Sequence, residues 1–350
     1  MPKKKFLTNL KNVSSTNHPG TNKESVNSLI ISQLIKEPKR HLSGSALAET
    51  FNTSRVTIWN HLSSLKKDGF IFEAIKNKGY RLLKFPLTLH PTLLSAHLLN
   101  LDVKELLFFF NELDSTQNEA ERRLSHHQLT PFTVIAKKQS QGRGRRGRTW
   151  AASSHNNLYI SFAFQPNLSP YTLQTFSLWI GLNVCHLLNS FFNISTKIKW
   201  PNDLILQDKK VAGFLAEARI DADHTRDLIL GIGLNINGSI TTLPKDLQSK
   251  ATTLETFTGN PLDMNFLTAH LIQTTLKAYR DFMQGKTTDF KSLWTQYDHL
   301  KDQPVTIYQN EEKIDGIANG IDQNGNLILQ LPNGSFKRFN TAEVTLSQPI

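Results

Sequence analysis

The segment from Gly142 to Arg148 holds three glycines and four arginines within seven residues, and Trp150 follows it. Glycine lets a backbone approach a ligand closely, and arginine pairs with phosphate or carboxylate oxygens through two parallel hydrogen bonds. The pattern predicts a loop around a large anionic ligand, with the indole ring against a flat group. A flexible basic loop is the simpler alternative.

The glycine spacing of this segment also fits a dinucleotide-binding motif. That motif needs a helix whose apolar residues begin immediately after the glycines. Here the chain continues into polar residues from Ala151 to Asn157, so we reject the dinucleotide interpretation.

Further motifs place polar side chains at predicted strand ends, turns and helix starts. Hydroxyl groups at a helix start either bind a polar ligand head or merely cap the helix. Glycines within a strand permit close approach of a ligand. The motifs are, in chain order, Asp114-Ser115-Thr116-Gln117 before a helix from Asn118, Lys199-Trp200-Pro201-Asn202-Asp203, Lys210-Val-Ala-Gly213 and Gly231-Ile-Gly233-Leu-Asn235.

Composition excludes several other classes of site. Cys185 is the only cysteine, so the chain has no internal disulfide and no cysteine-built zinc site, and we expect this thiol to be buried as a small apolar group. The twelve histidines are scattered without metal-site spacing. No apolar run reaches the ~18 residues of a membrane span, and the basic first residues lack the apolar stretch expected of a secretory signal. We expect a cytoplasmic protein without membrane contact.

The positive charge is concentrated in the first quarter of the chain. Residues 1–85 carry 15 Lys and Arg against 5 Asp and Glu, a net charge of +10. The whole chain carries +11, which leaves +1 for everything after Phe85. This asymmetry predicts a separate nucleic-acid-binding module at the amino terminus.

The order of predicted elements in this module is typical of a winged helix-turn-helix over residues 24–85. A disordered basic arm is predicted for residues 1–23. Serines at 43, 45 and 54 can cap two short helices, and a basic two-stranded wing follows. In the second helix Val56, Ile58, Trp59, Leu62 and Leu65 are predicted to be buried. The predicted DNA-facing residues are Arg55, Thr57, Asn60 and His61 on that helix, with Lys66, Lys67, Lys76 and Lys78 at phosphates. A small protein-interaction domain is the alternative.

The remainder of the chain divides into three predicted parts. Residues 86–95, which contain two prolines, are predicted to be a linker. Residues 96–300 alternate strands and helices, including an amphipathic helix over residues 264–285. Residues 301–350 form short strands with Asn-Gly turns, which are strong hairpin signals and predict a small β-domain. We therefore predict an α+β multidomain fold.

Taken together in this order, the motifs resemble biotin–protein ligase, and the helix-turn-helix ahead of them resembles the bifunctional form that also represses the biotin operon. The resemblance covers about residue 26 to the carboxyl terminus, and the arginine segment with Lys-Trp-Pro-Asn-Asp is its most specific part. It implies a mixed-sheet core of class II synthetase type and an SH3-like β-barrel at the end. The family has Asn after Ser-Thr, whereas this chain has Gln117.

The resemblance also implies ligands, partners and residue roles. ATP, Mg²⁺ and biotin would form biotinyl-5'-AMP, with the biotin carboxyl carrier protein as acceptor, operator DNA as target and a homodimer in the adenylate-bound state. Lys210, Arg143, Arg145 and Asp203 would be catalytic, with Asp203 near Mg²⁺. The implied biotin and adenylate contacts are Ser115, Thr116, Gln117, Gln139, Arg143, Gly144, Arg145, Trp150, Asn202, Lys210, Gly231, Gly233 and Asn235.

Two other functions fit the sequence as well. The protein could be a ligase whose winged helix has no operator. It could also be a biotin-sensing DNA-binding protein whose ligase site is impaired by Gln117. For the carboxyl-terminal domain, recognition of peptides is an alternative to a contribution to acceptor or ATP contacts.

Overall fold

The computed structural model describes residues 25–151, 156–221, 223–243, 245–309 and 312–346, and these residues form three β-sheets with helices packed around them. The arm predicted for residues 1–23 lies outside the described residues. None of the described helices has the length and apolar character needed to cross a membrane.

Three helices and a two-stranded antiparallel hairpin form the amino-terminal module, which confirms the winged helix-turn-helix. Each helix starts after a serine whose hydroxyl oxygen accepts a hydrogen bond from a backbone N–H of the first turn, at 3.1 Å for Ser25 and 3.0 Å for Ser43 and Ser54. The elements are α1 (Val26–Lys36), α2 (Gly44–Thr50), α3 (Arg55–Lys67), β1 (Ile71–Ile75) and β2 (Gly79–Lys84).

The predicted buried stripe of α3 is only partly correct. Ile58, Leu62 and Leu65 are buried, as predicted, but Val56 is 67% exposed and Trp59 is 58% exposed. Successive helical residues are rotated by about 100°, so a stripe through residues 58, 62 and 65 leaves residues 56 and 59 to one side. Val56 and Trp59 were predicted to be buried because they are apolar. The geometry of the helix places them outside the buried stripe instead.

The segment predicted as a linker contains the start of a helix. α4 (Pro91–Asn100) begins inside residues 86–95 and joins two hydrophobic cores. Leu93 and Ala96 pack in the core of the amino-terminal module, whereas Leu94 and Leu98 pack in the main core. The two modules therefore share a helix.

The predicted mixed sheet forms the centre of the molecule and has seven strands. Its strand order is β3-β4-β5-β9-β8-β7-β6, and only β3 and β4 are parallel. α6 and α9 pack in the main core, while α5 packs in a smaller core with Phe132 and Val134. The strands are β3 (Leu106–Leu113), β4 (Phe132–Gln139), β5 (Leu158–Phe164), β6 (Lys197–Lys199), β7 (Asp203–Leu206), β8 (Lys209–Asp221) and β9 (His224–Leu234). The helices are α5 (Thr116–Ser125), α6 (Phe176–Ser190), α7 (Lys245–Gln248), α8 (Leu254–Thr258), α9 (Met264–Met283) and α10 (Phe290–Tyr297).

The carboxyl-terminal residues form a five-stranded antiparallel sheet of order β13-β12-β11-β10-β14. Both predicted Asn-Gly turns are present, with positive φ angles at Gly325 and Gly334. The first turn also contacts the central domain, because Trp200 Nε1 donates to Gly325 O at 3.0 Å. The strands are β10 (Pro304–Gln309), β11 (Glu312–Ile321), β12 (Leu327–Gln330), β13 (Phe336–Phe339) and β14 (Glu343–Leu346).

Cys185 is fully buried in α6, as predicted. Burial raises the pKa of its thiol to about 12, and Sγ donates to Thr196 O at 3.3 Å. The thiol is therefore protonated and unreactive at neutral pH.

Candidate functional site

One cleft gathers most of the predicted site residues from distant parts of the chain. It lies where β4 runs into the arginine segment and where α5 begins, and the glycines of β8 and β9 border it. The predicted residues that line it are Ser115, Thr116, Gln117, Gln139, Arg143, Gly144, Arg145, Trp150, Asn202, Lys210, Gly231 and Gly233.

The inner end of the cleft is a cluster of uncharged polar groups at the start of α5. Gln139 Oε1 accepts from Thr116 N at 2.7 Å and from Thr116 Oγ1 at 3.0 Å. Ser161 Oγ lies 2.8 Å from Thr116 Oγ1, and it donates to Gln117 Oε1 at 3.0 Å. Ser115 both caps α5 and lines the cleft. Buried neutral donors and acceptors of this density suit a compact, uncharged polar ligand head.

The Gln117 amide is fully engaged by its surroundings. Its Nε2 donates to Glu217 Oε2 at 2.9 Å and to Ile229 O at 3.3 Å. Its Oε1 lies against Gly231, where an added Cβ would be only 2.8 Å away. The Gln117 side chain therefore connects the start of α5 with Glu217 on β8.

Glu217 also binds the arginine segment. Arg143 Nη2 donates to Glu217 Oε1 at 2.5 Å, and Arg143 Nη1 donates to Asn118 Oδ1 at 2.8 Å. One carboxylate thus connects the polar end of the cleft with the arginine segment.

The arginine segment forms a closed turn rather than an extended tail. Gly144 N donates to Arg148 O at 2.7 Å, and Trp150 N donates to Gly142 O at 2.9 Å. Arg146, with φ 56°, and Gly147, with φ 70°, make the reversal possible. The segment therefore has a defined turn geometry, and the flexible-loop alternative concerns how firmly that turn is held.

Two arginines of the segment contact the carboxyl-terminal domain. Arg145 donates to Asn202 Oδ1 at 3.1 Å and to Thr341 Oγ1 at 3.0 Å, and Arg148 forms an ion pair with Glu343. Burial lowers the pKa of Arg145, but an arginine stays protonated at neutral pH. The cleft therefore presents a fixed positive charge beside the turn before β7.

An indole ring and an ammonium group complete the outer end. Trp150 lies against Gly233, where an added Cβ would be 2.4 Å from the ring, and against Gly213. Lys210 Nζ lies 5.3 Å from the Trp150 ring centre and pairs with Asp203 Oδ1 at 2.7 Å. Trp150 Nε1 is buried and has no acceptor among the described residues. The glycines thus provide room for an aromatic plane beside cationic groups.

Two predicted site residues do not line the cleft. Asp203 reaches it only through its ion pair with Lys210. Asn235 is buried at the end of β9, and its backbone binds Val211 and Leu254. Among the residues of the chain that the structure describes, no group of three His, Cys, Asp or Glu side chains could hold a metal ion.

Sequence reasoning missed several residues of the site. Ser161 is fully buried in a strand that is otherwise apolar, and this isolated hydroxyl was a usable signal. Glu217, Thr341 and Glu343 carried no such signal, because each acts through a partner that is distant in sequence.

The predicted DNA-facing residues are distributed over α3 and the wing. Arg55, Asn60, Lys66, Lys67, Lys76 and Lys78 are exposed. Thr57 Oγ1 instead contacts the capping Ser54 at 2.8 Å. His61 was predicted to face outward, but Nδ1 lies 2.8 Å from Asn27 Oδ1 and burial lowers its pKa.

Three family models match the chain in the order of its domains. An HTH domain matches residues 27–81, the biotin/lipoate A/B protein ligase family matches residues 109–235, and the biotin protein ligase C terminal domain matches residues 302–347.

Curated relatives match over most of their length. The bifunctional ligase/repressor BirA of Bacillus subtilis is 30% identical over 305 residues, which cover 87% of this chain and 94% of the relative. BirA of Escherichia coli is 30% identical over 304 residues, covering 87% and 92%. Among solved structures, biotin protein ligase from Aquifex aeolicus in complex with biotin and ATP superposes with a TM-score of 0.58 at 28% identity, covering 70% of this chain and 100% of that one.

Proposed function

Because the chain belongs to the family of bifunctional biotin protein ligases and repressors, we propose that it activates biotin with ATP, transfers it to a carrier-protein lysine and represses transcription in response to biotin. The observation that carries the ligase function is the single cleft in which a neutral polar pocket adjoins two fixed cations and an indole ring. Such a cleft suits a ligand with an uncharged head, a carboxylate and a nucleotide.

The polar end of the cleft is the proposed site for the cyclic urea of biotin. A urea offers one carbonyl oxygen and two N–H groups, which need donors and acceptors in close proximity. Thr116, Ser161 and Gln139 supply both kinds of group at a helix start. Gln117 retains its amide in this pocket, so we assign it a role in shaping the site and not the loss of ligase activity.

The outer end of the cleft is the proposed site of adenylate formation. A biotin carboxylate oxygen attacks the α-phosphorus of ATP, the bond to the bridging oxygen breaks and pyrophosphate leaves. Two anions must approach each other in this step, so fixed positive charge lowers its barrier. Arg145 and Lys210 provide that charge, Arg143 lines the cleft and connects the arginine segment to Glu217, and Trp150 packs beside the adenine.

The oxygen ligands in the cleft suit Mg²⁺ only when the phosphates of the nucleotide bind the ion as well. Asp203 is a single carboxylate beside Asn202, and Mg²⁺ in nucleotide sites is bound by one or two carboxylates together with phosphates. The bound ion would neutralise phosphate charge. When no ion is bound, Asp203 would hold Lys210 in position through their 2.7 Å ion pair.

The second half-reaction needs no covalent bond to the enzyme. The ε-amine of the acceptor lysine attacks the carbonyl carbon of the mixed anhydride, its N–H proton is lost and AMP leaves. The proposed acceptor is a biotin carboxyl carrier protein.

The amino-terminal module is the proposed operator-binding part. α3 would enter the major groove and the basic wing would lie along the phosphates. We further propose that bound biotinyl-5'-AMP orders the arginine segment and favours a homodimer that spans two operator half-sites.

The ligase proposal is tested by incubating the protein with biotin, ATP, Mg²⁺ and a biotin carrier domain. Mass spectrometry of the carrier is expected to show the addition of one biotinyl group, dependent on ATP. An unmodified carrier, with no pyrophosphate released, would exclude ligase activity.

A further inference from the structure

Two large apolar side chains lie exposed on the DNA-binding helix. Val56, the second residue of α3, is 67% exposed, and Trp59, one turn further on, is 58% exposed. The core of the module is complete without them, since Ile58, Leu62 and Leu65 fill it. Clustered exposed apolar groups of this size mark a contact surface.

The two side chains line a groove between α3 and the wing. Ile75 of β1 and the basic residues Arg55 and Lys76 line the same groove. Residues 25–85 carry 10 Lys and Arg against 4 Asp and Glu, a net charge of +6. An apolar strip within a basic surface favours a polyanion that carries some apolar groups over an apolar protein partner.

Duplex DNA presents apolar groups to a protein in its major groove. In the major groove the C5-methyl group of thymine is the apolar feature that base pairs present, and residues near the start of a recognition helix contact base edges. Arg55 and Asn60, which flank Val56 and Trp59 on α3, carry the hydrogen-bonding groups that read purines.

We infer that Val56 and Trp59 contribute to the recognition of the operator sequence by packing against thymine methyl groups. These thymines lie next to the bases that Arg55 and Asn60 read. This inference rests on the proposed operator binding and specifies the sequence class that the operator must contain. It predicts thymines at fixed positions in each half-site.

The test removes single methyl groups from the DNA. The full-length protein, supplied with biotin, ATP and Mg²⁺, selects its preferred duplex from a random-sequence library. The thymidines of that duplex are then replaced by deoxyuridine one at a time, and the dissociation constant of each duplex is measured by fluorescence anisotropy. We expect a loss of about four-fold at the contacted thymines, the ratio given by burial of one methyl-sized group.

Variants assign the effect to the two side chains. Each of the variants Trp59→Ala and Val56→Ala should bind the thymine duplex more weakly than the wild type. Its dissociation constant should no longer change when the thymine contacted by the removed side chain is replaced by uracil. Leu83→Ala is the matched control, because Leu83 is an exposed aliphatic residue of the same module that does not line the groove. It should keep the wild-type uracil response, and all three variants should biotinylate the carrier normally.

Failures of the two proposals are distinguishable. If the wild-type protein selects no sequence, operator binding fails and this inference fails with it. If it selects a sequence but binds the uracil duplexes equally well, only the inference is overturned. A Trp59→Ala variant that weakens thymine and uracil duplexes by the same factor also overturns it, because Trp59 would then contribute to DNA binding without contacting a methyl group.

Discussion

At the scale of single residues, Lys210 and Arg145 carry the proposed charge stabilisation. We expect Lys210→Ala and Arg145→Ala each to lower adenylate formation at least about ten-fold, since one preorganised donor contributes that much or more to a charged transition state. The measurement is the initial rate of pyrophosphate release with biotin and ATP.

The adjacent lysine provides the matched control for that experiment. Lys209 is exposed and does not line the cleft, so Lys209→Ala should release pyrophosphate at the wild-type rate. Near-normal rates in both cleft variants would remove Lys210 and Arg145 from the mechanism.

Glu217 gives a second prediction at this scale. Its ion pair with Arg143 is partly exposed, with side-chain exposures of 37% and 36%, so it is worth only about 0.2–1 kcal/mol. Glu217→Gln should therefore loosen the arginine segment modestly and speed tryptic cleavage there by up to about five-fold. Glu121→Gln serves for comparison, because Glu121 lies 3.8 Å from Arg143. Equal cleavage of Glu217→Gln and wild type would show that the pair does not hold the turn.

At the scale of elements, the sequence predicted which segments form helices and strands better than how they contact one another. Serine caps, Asn-Gly turns and alternating apolar residues act locally, so the winged helix and the carboxyl-terminal hairpins could be predicted. The exposure of Trp59 could not, because hydrophobicity alone does not tell which face of a helix meets the core. The same holds for the site: the sequence motifs supplied the residues that line the cleft, whereas Glu217 and Thr341 could not be predicted because they contact segments distant in sequence.

The shared helix α4 leads to a prediction about coupling between modules. Asn265, fully buried at the start of α9, fixes the segment before α4: Oδ1 accepts from His90 N at 2.7 Å and Nδ2 donates to Thr88 O at 2.9 Å. Asn265→Ala would leave these buried backbone groups unpaired and should lower the free energy of unfolding by about 1–3 kcal/mol. Urea denaturation measures the change, with the exposed Asn260→Ala as control. An unchanged midpoint would mean that water satisfies these backbone groups and that the Asn265 amide does not stabilise the connection.

At the scale of the whole molecule, the ligand cleft and a candidate dimer surface are connected through the end of β3. β3 is an edge strand of the central sheet, and the two residues just before the arginine segment are hydrogen-bonded to its end, since Ser140 N donates to Leu113 O at 2.9 Å and Gln141 N donates to Asp114 O at 2.8 Å. An edge strand presents unpaired backbone groups that can pair with a second copy. A ligand that orders the arginine segment would therefore also fix the end of β3.

Sedimentation velocity tests whether this connection operates. The protein is expected to move from monomer to dimer with biotin and ATP together, and to stay monomeric with biotin alone. In a two-fold edge pairing centred on Asn111, which is exposed on β3, Asn111→Lys would bring two like charges together and should weaken the dimer, whereas Gln284→Lys at an exposed helix end should not. A monomer mass in the presence of biotin and ATP would refute adenylate-dependent assembly. A dimer unaffected by Asn111→Lys would exclude a β3 edge pairing centred on that residue.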